Sequence, residues 1–143
     1  MVRRSKDSRK GARAVALYGL LIALAFIFSY VEAMIPVPVP IPGVKLGLAN
    51  LVNVVGLYTV GAAGTAAVAL VRIVLVGFTF SNPGSMMYAL AGGIFSLAVM
   101  IAAKKYRWFS EIGVSILGGI FHNIGQLTVA ALITGTGGVF SYL

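Results

Sequence analysis

Long apolar runs, separated by short polar or proline- and glycine-containing breaks, dominate the chain. The first run covers 14–35 and is interrupted only by Ser29, Tyr30 and Glu32. A cleaved signal peptide has an apolar core of about 7–15 residues, so this longer run predicts a retained transmembrane helix. Prolines then alternate over 36–42, a pattern that ends a helix and favours an extended backbone.

The next apolar run, over 46–80, is too long for one transmembrane helix. As a single helix it would extend roughly 52 Å, against a hydrocarbon core of roughly 30 Å. Glycine and alanine at 61–64 mark the natural break. The pattern therefore predicts a short helix over 46–60 and a longer one over 62–80.

Two more apolar runs predict helices over 86–103 and 112–134. The last residues, from 139, predict the start of a sixth helix that is cut off. The predicted fold is all-α, a polytopic transmembrane helix bundle with five full helices plus the start of a sixth. One transmembrane domain, 14–143, follows a basic tail, 1–13.

Composition supports a bilayer as the solvent of this chain. Of its 143 residues, 59% are hydrophobic and only 10% are charged, and the mean hydropathy is +1.00. Soluble domains carry about 25% charged residues. The chain has no cysteine, which excludes disulfides, thiolate metal sites and cysteine nucleophiles.

The net charge of +8 is concentrated at two places. Six of the eleven basic residues lie within 1–13, and three more are Lys104, Lys105 and Arg107. Basic clusters beside apolar spans are typical of cytoplasmic loops, so we expect membrane lipid headgroups as their neighbours, and no nucleic acid. The predicted location is the cell (plasma) membrane, multi-pass, with a cytoplasmic N-terminus.

The short second segment, 46–60, could either cross the membrane or be re-entrant. Full crossing places the two basic clusters on the same side, with nine basic residues inside and only Lys45 outside. A re-entrant segment would divide the basic residues six to four. The positive-inside rule therefore favours full crossing.

Polar residues inside predicted spans are costly and therefore informative. With the predicted topology, the ionisable and amide residues among them, Glu32 and the six candidates named below, all lie between the midplane and the outer surface. This placement suits a pocket open to the outside. His122 and Gln126 are spaced i, i+4 and share a helix face. The candidate substrate-binding residues are Asn50, Asn53, Arg72, His122, Asn123 and Gln126.

Each of these residues also has a purely structural interpretation. Arg72 could form a buried ion pair with Glu32 instead of facing an anionic ligand group such as carboxylate or phosphate. A single buried His122 is commonly a hydrogen-bonded core residue. Amides within spans often only connect helices.

The sequence argues against an enzyme. The only aspartate is Asp7, in the tail, and the two glutamates are far apart, so neither a metal site nor Mg²⁺-dependent diphosphate chemistry is expected. The phosphate-binding pattern GxxxxGK[ST] is absent. We therefore predict no catalytic residues, no cofactor and no ATP hydrolysis by this chain.

Eighteen glycines and many alanines predict close helix packing, since small residues let backbones approach in lipid. Some small faces could instead contact a partner. Ala12 and Ala16, four residues apart at the start of the first helix, are the candidate partner-binding residues.

Several segments together resemble a known family. The stretch over 42–53 reads PGVKLGLANLVN, and it is accompanied by Arg72, AGG at 91–93 and HNIGQ at 122–126. The first stretch is similar to the start of the second helix in the substrate-binding (S) components of energy-coupling factor vitamin transporters. The whole set resembles the Gx transporter family, also called heptaprenyl diphosphate synthase component I, over about 14–134.

The resemblance implies an S-component-like fold with six helices and a ligand pocket near the outer face. It implies a substrate-binding subunit of a small-molecule uptake transporter, working with a transmembrane coupling subunit and ATPases. It also implies that a sixth helix should continue where this sequence stops. The alternative is a non-catalytic membrane scaffold or accessory subunit linked to isoprenoid or prenyl diphosphate metabolism.

Overall fold

The computed structural model describes residues 2–35, 47–107, 109–135 and 137–142. It contains five α-helices and no strand within these ranges, which confirms the predicted all-α fold. The helices are α1 (Val2–Met34), α2 (Asn50–Thr59), α3 (Gly61–Thr79), α4 (Pro83–Tyr106) and α5 (Glu111–Thr134).

Four helices are long and apolar enough to cross a membrane, namely α1, α3, α4 and α5. The predicted multi-pass membrane protein is confirmed at this level. Helix α2 has 10 residues, or about 15 Å, half of a hydrocarbon core of about 30 Å. Full crossing of the second segment, and the orientation derived from it, therefore stay predictions. The alternating prolines and Lys45 lie outside the described residues.

Helix α1 begins much earlier than the apolar run that predicted it. It is helical from Val2, through the basic residues that the sequence suggested as a tail. Lysine and arginine are good helix formers, and the segment contains no proline. The basic end is therefore a continuation of the first helix.

Local sequence signals explain the bounds of α4 and α5. The Asn82 side chain accepts a hydrogen bond from Ser85 N at 2.9 Å, and Pro83 occupies the first turn of α4. Ser110 caps α5 in the same way, through Gly113 N at 3.4 Å. Gly135 ends α5 with a φ of +66°.

The end of the chain differs from the predicted sixth helix. Gly137–Tyr142 form a short 3-10 helix packed against α5. A sixth α-helix beginning at 139 is therefore not confirmed.

Apolar and polar side chains are distributed inversely to those of a soluble protein. Large apolar side chains such as Phe78, Ile94 and Leu132 are more than 60% exposed. The buried residues include a cluster of polar and charged side chains, among them Glu32 and Arg72. Lipid can cover the first group, whereas the second must find its partners within the bundle.

Helices α4 and α5 pack closest, because glycines remove side chains from their interface. A Cβ atom on Gly125 would lie 2.8 Å from Ala91 O, and one on Gly92 would lie 2.8 Å from His122 O. Both neighbours are backbone atoms, which cannot move without moving a helix. This pair of helices forms the rigid part of the bundle.

Lys104 has a structural role that its position in a basic cluster does not reveal. Its Nζ donates to Leu57 O at 2.5 Å and lies 4.5 Å above the ring of Tyr58. It therefore satisfies a carbonyl in the last turn of α2, where a cation is favourable. Lys104 joins α4 to α2 instead of facing only lipid headgroups.

We expect Gly125→Ala to destabilise the protein strongly, because the added methyl group meets the backbone of α4. Overpacking of this kind costs about 1–3 kcal/mol, so thermal unfolding in detergent should shift down by several degrees. Gly119→Ala, on the same helix with nothing within 4 Å, is the matched control and should be neutral. Equal melting temperatures for the two variants would contradict the packing described here.

Candidate functional site

Residues of all five helices line a small polar cavity. Its walls include Glu32 of α1, Gly47 and Asn50 around the start of α2, and Arg72 of α3. Ser81 and Ser85, before and within the first turn of α4, and His122 and Gln126 of α5 complete the polar lining. The volume of the cavity is about 20 Å³. A cavity of roughly 10–15 Å³ holds one water molecule, so this site has room for little more than one.

The tight turn between α2 and α3 brings Asn50 and Arg72 into the same wall. Gly61 adopts a φ of +78°, which favours glycine, and only Val60 lies between the end of α2 and this residue. Gly56 then packs on Thr65, where a Cβ atom would lie 2.9 Å from Oγ1. The chain reverses direction at this turn, so Asn50 and Arg72, each eleven positions from Gly61, lie at a similar height in the bundle.

Arg72 is buried, with 6% of its surface exposed. Its Nη1 donates to Ser29 Oγ at 3.2 Å, and Ser29 Oγ donates in turn to Ala25 O at 2.9 Å. The Glu32 carboxylate is close enough to interact with the guanidinium charge. Arg72 Nε has no hydrogen-bond partner among the described residues. Arg72 therefore keeps a donor that these contacts leave unused.

Glu32 connects α1 to the start of α2. Its Oε1 accepts hydrogen bonds from Gly47 N and from Leu48 N, the latter at 3.3 Å. These two backbone donors precede α2, so the carboxylate fixes the position of that helix relative to α1. The same side chain thus serves both a backbone segment and the charge of Arg72.

Asn50 of α2 is held in place by a hydrogen bond from α4. Its Oδ1 accepts from Ser96 Oγ of α4 at 2.8 Å and from Asn53 Nδ2 at 3.4 Å. Asn53 Oδ1 has no partner among the residues that the structure describes. This network fixes the amide of Asn50 at the cavity wall.

His122 and Gln126 form the α5 side of the cavity. Gln126 Nε2 and His122 Nε2 are 3.2 Å apart, which makes the predicted i, i+4 pair a hydrogen-bonded one. The imidazole also lies against Gly47, where a Cβ atom would be 3.4 Å from Cδ2. The ring is therefore part of the contact that closes the cavity beside α2.

Of the six candidate residues, the structure brings four together: Asn50, Arg72, His122 and Gln126 line the cavity. Asn53 lies behind Asn50 and reaches the site only through it. Asn123 is half-buried outside the lining, and its Oδ1 has no partner in the described part of the chain. A binding role for any of the six stays a prediction.

Sequence reasoning did not identify two hydroxyl residues that support the site, Ser29 and Ser96. A serine in an apolar helix can bond to its own backbone, so its presence gives no signal of a tertiary partner. Ser29 does so, and it also accepts from Arg72.

The proposed partner-binding residues Ala12 and Ala16 are both exposed on α1. In the described ranges, no three His, Cys, Asp or Glu side chains lie close enough together to hold a metal ion.

Comparison with known proteins gives one match. A family model described as heptaprenyl diphosphate synthase component I matches residues 21–143. No curated protein and no solved structure matches the chain. The resemblance to this family that the sequence motifs suggested is confirmed, whereas the similarity to energy-coupling factor S components is not directly tested.

A double-mutant cycle tests the coupling between the two buried charges. We expect Glu32→Gln and Arg72→Gln each to destabilise the protein, because each leaves the other charge buried without its counter-charge. The double variant should lose less than the sum, with a coupling free energy of about 1–3 kcal/mol. Reversible unfolding in mixed detergent micelles measures all four free energies.

Arg107 and Glu111 provide the matched control pair, since both are exposed near the α4–α5 connection. Their coupling should stay within the roughly 0.2–1 kcal/mol of surface ion pairs. Additive effects for Glu32 and Arg72 would show that the two charges are stabilised independently.

Proposed function

Since this chain belongs to the heptaprenyl diphosphate synthase component I family, we propose that it is the membrane-embedded substrate-binding subunit of a small-molecule uptake transporter. The observation that carries the proposal is the buried guanidinium of Arg72 in the wall of a polar cavity, with Nε lacking a partner among the described residues. A buried charge of this kind is expensive in a membrane protein, which favours a functional role.

The lining is suited to a ligand with an anionic group. Arg72 presents planar donors that match carboxylate or phosphate. Asn50 and Gln126 add amides, which can both donate and accept. The prenyl diphosphate named in the family description carries an anionic group of this kind.

Binding requires the cavity to open, because about 20 Å³ is far below the roughly 300–1,000 Å³ of small-molecule pockets. The α1–α2 side is the proposed moving part. Gly47 and Leu48 are held there by Glu32 and by contact with His122. An anionic ligand at Arg72 would compete with Glu32 and so loosen this segment.

Transport would depend on further subunits. The sequence lacks the GxxxxGK[ST] phosphate loop, so energy from ATP would come from separate ATPases through a transmembrane coupling subunit. The exposed Ala12 and Ala16 on α1 are the proposed contact with that subunit.

Native mass spectrometry of the full-length protein, purified gently from its own membrane, tests the binding proposal. We expect a retained small anionic molecule. Arg72→Lys keeps the charge but loses the planar fork, and should reduce the occupancy at least about tenfold, or 1.4 kcal/mol. Gln126→Glu places a negative charge in the cavity and should have a similar effect.

Arg107→Lys is the control, because this exposed arginine lies outside the cavity, and it should retain the molecule fully. Melting temperatures of all three variants establish that they fold. Equal occupancy in wild type, Arg72→Lys and Gln126→Glu would place the ligand elsewhere and refute the proposed pocket.

A second candidate is a non-catalytic accessory subunit, favoured by the word component in the family description. Its contact surface would be the exposed small-residue face of α1. Gly19 belongs to this face, since a Cβ atom there would meet nothing within 4 Å. Gly92 and Gly118 do not, because both pack inside the bundle.

For the accessory subunit, we expect Ala16→Leu to reduce recovery of a partner membrane protein in a pull-down at least severalfold, because the larger side chain blocks close approach. Val15→Leu, at the adjacent exposed position, is the control and should have no effect. A partner recovered equally with both variants would exclude this face as its contact.

A further inference from the structure

A groove lies beside the polar cavity, between α3 and α4 on the outside of the bundle. Its floor is formed by small or buried residues, namely Ala69, Ile73 and Gly93. Leu70 and Ile94 stand at its rim and are more than half exposed. The volume is about 250 Å³ and the lining is almost entirely apolar.

Ile73 separates the groove from the polar cavity. Its side chain lines both spaces, and it directly follows Arg72 on α3. From Ile73 the groove extends along the helix to Ala66, a distance of about 10 Å at 1.5 Å per residue. A polar space with a cationic donor and an apolar space open to lipid therefore share one wall.

We propose that the ligand is amphipathic, with an anionic headgroup at Arg72 and a linear apolar chain in the groove between α3 and α4. This inference rests on the proposed binding function and specifies its substrate class. The apolar chain leaves the headgroup past Ile73 and lies along α3 towards Ala66. Such a molecule reaches the site sideways from the bilayer and needs no wide aqueous opening.

The wall that the two spaces share at Ile73 favours this occupant over an ordinary lipid tail. A lipid tail can cover the groove, but its own headgroup is remote from the buried Arg72. Only a molecule whose chain begins close to the anionic group occupies both spaces. Ala69 and Gly93 on the floor are small, so the groove is wide enough for an apolar chain. Larger side chains at these positions would fill it.

The test uses full-length protein in lipid nanodiscs and two probes, inorganic pyrophosphate and the ten-carbon prenyl diphosphate. Calorimetric titration, corrected with empty nanodiscs, gives both affinities. We expect the prenyl compound to bind at least tenfold more tightly than pyrophosphate. Ala66→Phe, which fills the groove, should reduce this advantage below threefold and leave pyrophosphate binding unchanged.

Ala67→Phe is the matched control. Ala67 is the neighbouring exposed alanine on α3 and lies outside the groove, so the tenfold advantage should persist. An equal advantage in Ala66→Phe and Ala67→Phe means that the chain lies in bulk lipid, which overturns the inference.

Arg72→Lys separates this inference from the proposed function. Pyrophosphate binding that depends on Arg72, with no advantage for the prenyl compound, overturns the amphipathic ligand and leaves the binding subunit standing. Binding of both probes that is unaffected by Arg72→Lys overturns both. Binding of neither probe overturns the amphipathic ligand, whereas the proposed function then depends on the molecule retained in native mass spectrometry.

Discussion

The buried positive charge of Arg72 is the constraint on which the rest of the bundle depends. In a lipid environment this guanidinium is shielded from bulk water, so protein groups must provide most of its solvation. Ser29 and Glu32 of α1 supply an acceptor and a counter-charge. Glu32 in turn accepts from the backbone at Gly47 and Leu48. One charge on α3 therefore determines how α1 and the start of α2 are placed.

Glycine residues determine the packing of α4 and α5, on the side of the cavity opposite α1 and the start of α2. Since lipid is as apolar as the helix surfaces, helices associate in it through close packing and hydrogen bonds. Gly92 and Gly125 allow α4 and α5 to meet at backbone distance, and the imidazole of His122 lies against Gly92. The cavity thus lies between a rigid pair and a segment held mainly by polar contacts. Polar contacts can be exchanged for ligand contacts, whereas backbone contacts cannot.

The sequence predicted the long apolar helices and the polar residues within them that are costly to bury in lipid. Arg72, His122 and Gln126 were identifiable because polar groups are conspicuous in apolar runs, and the structure brings them together with Asn50. The sequence could not show that His122 lines the cavity and Asn123 does not, because a shift of one helix position changes which side of α5 a residue occupies. The helical basic segment of α1 was missed, since charge does not mark a helix end. The second helix was predicted to be short, but α2 is shorter still than 46–60, since an apolar run does not show where a helix begins.

The size of the cavity makes conformational change part of any binding role. A space of about 20 Å³ holds one water, so the described structure corresponds to a closed state of the proposed pocket. Opening must break the contacts of Glu32 with Gly47 and Leu48, and it deprives Arg72 of part of its solvation. A ligand without negative charge would leave that loss uncompensated. In the proposed binding role, an anionic group would replace Glu32 at the guanidinium, so the binding energy itself would favour the open state.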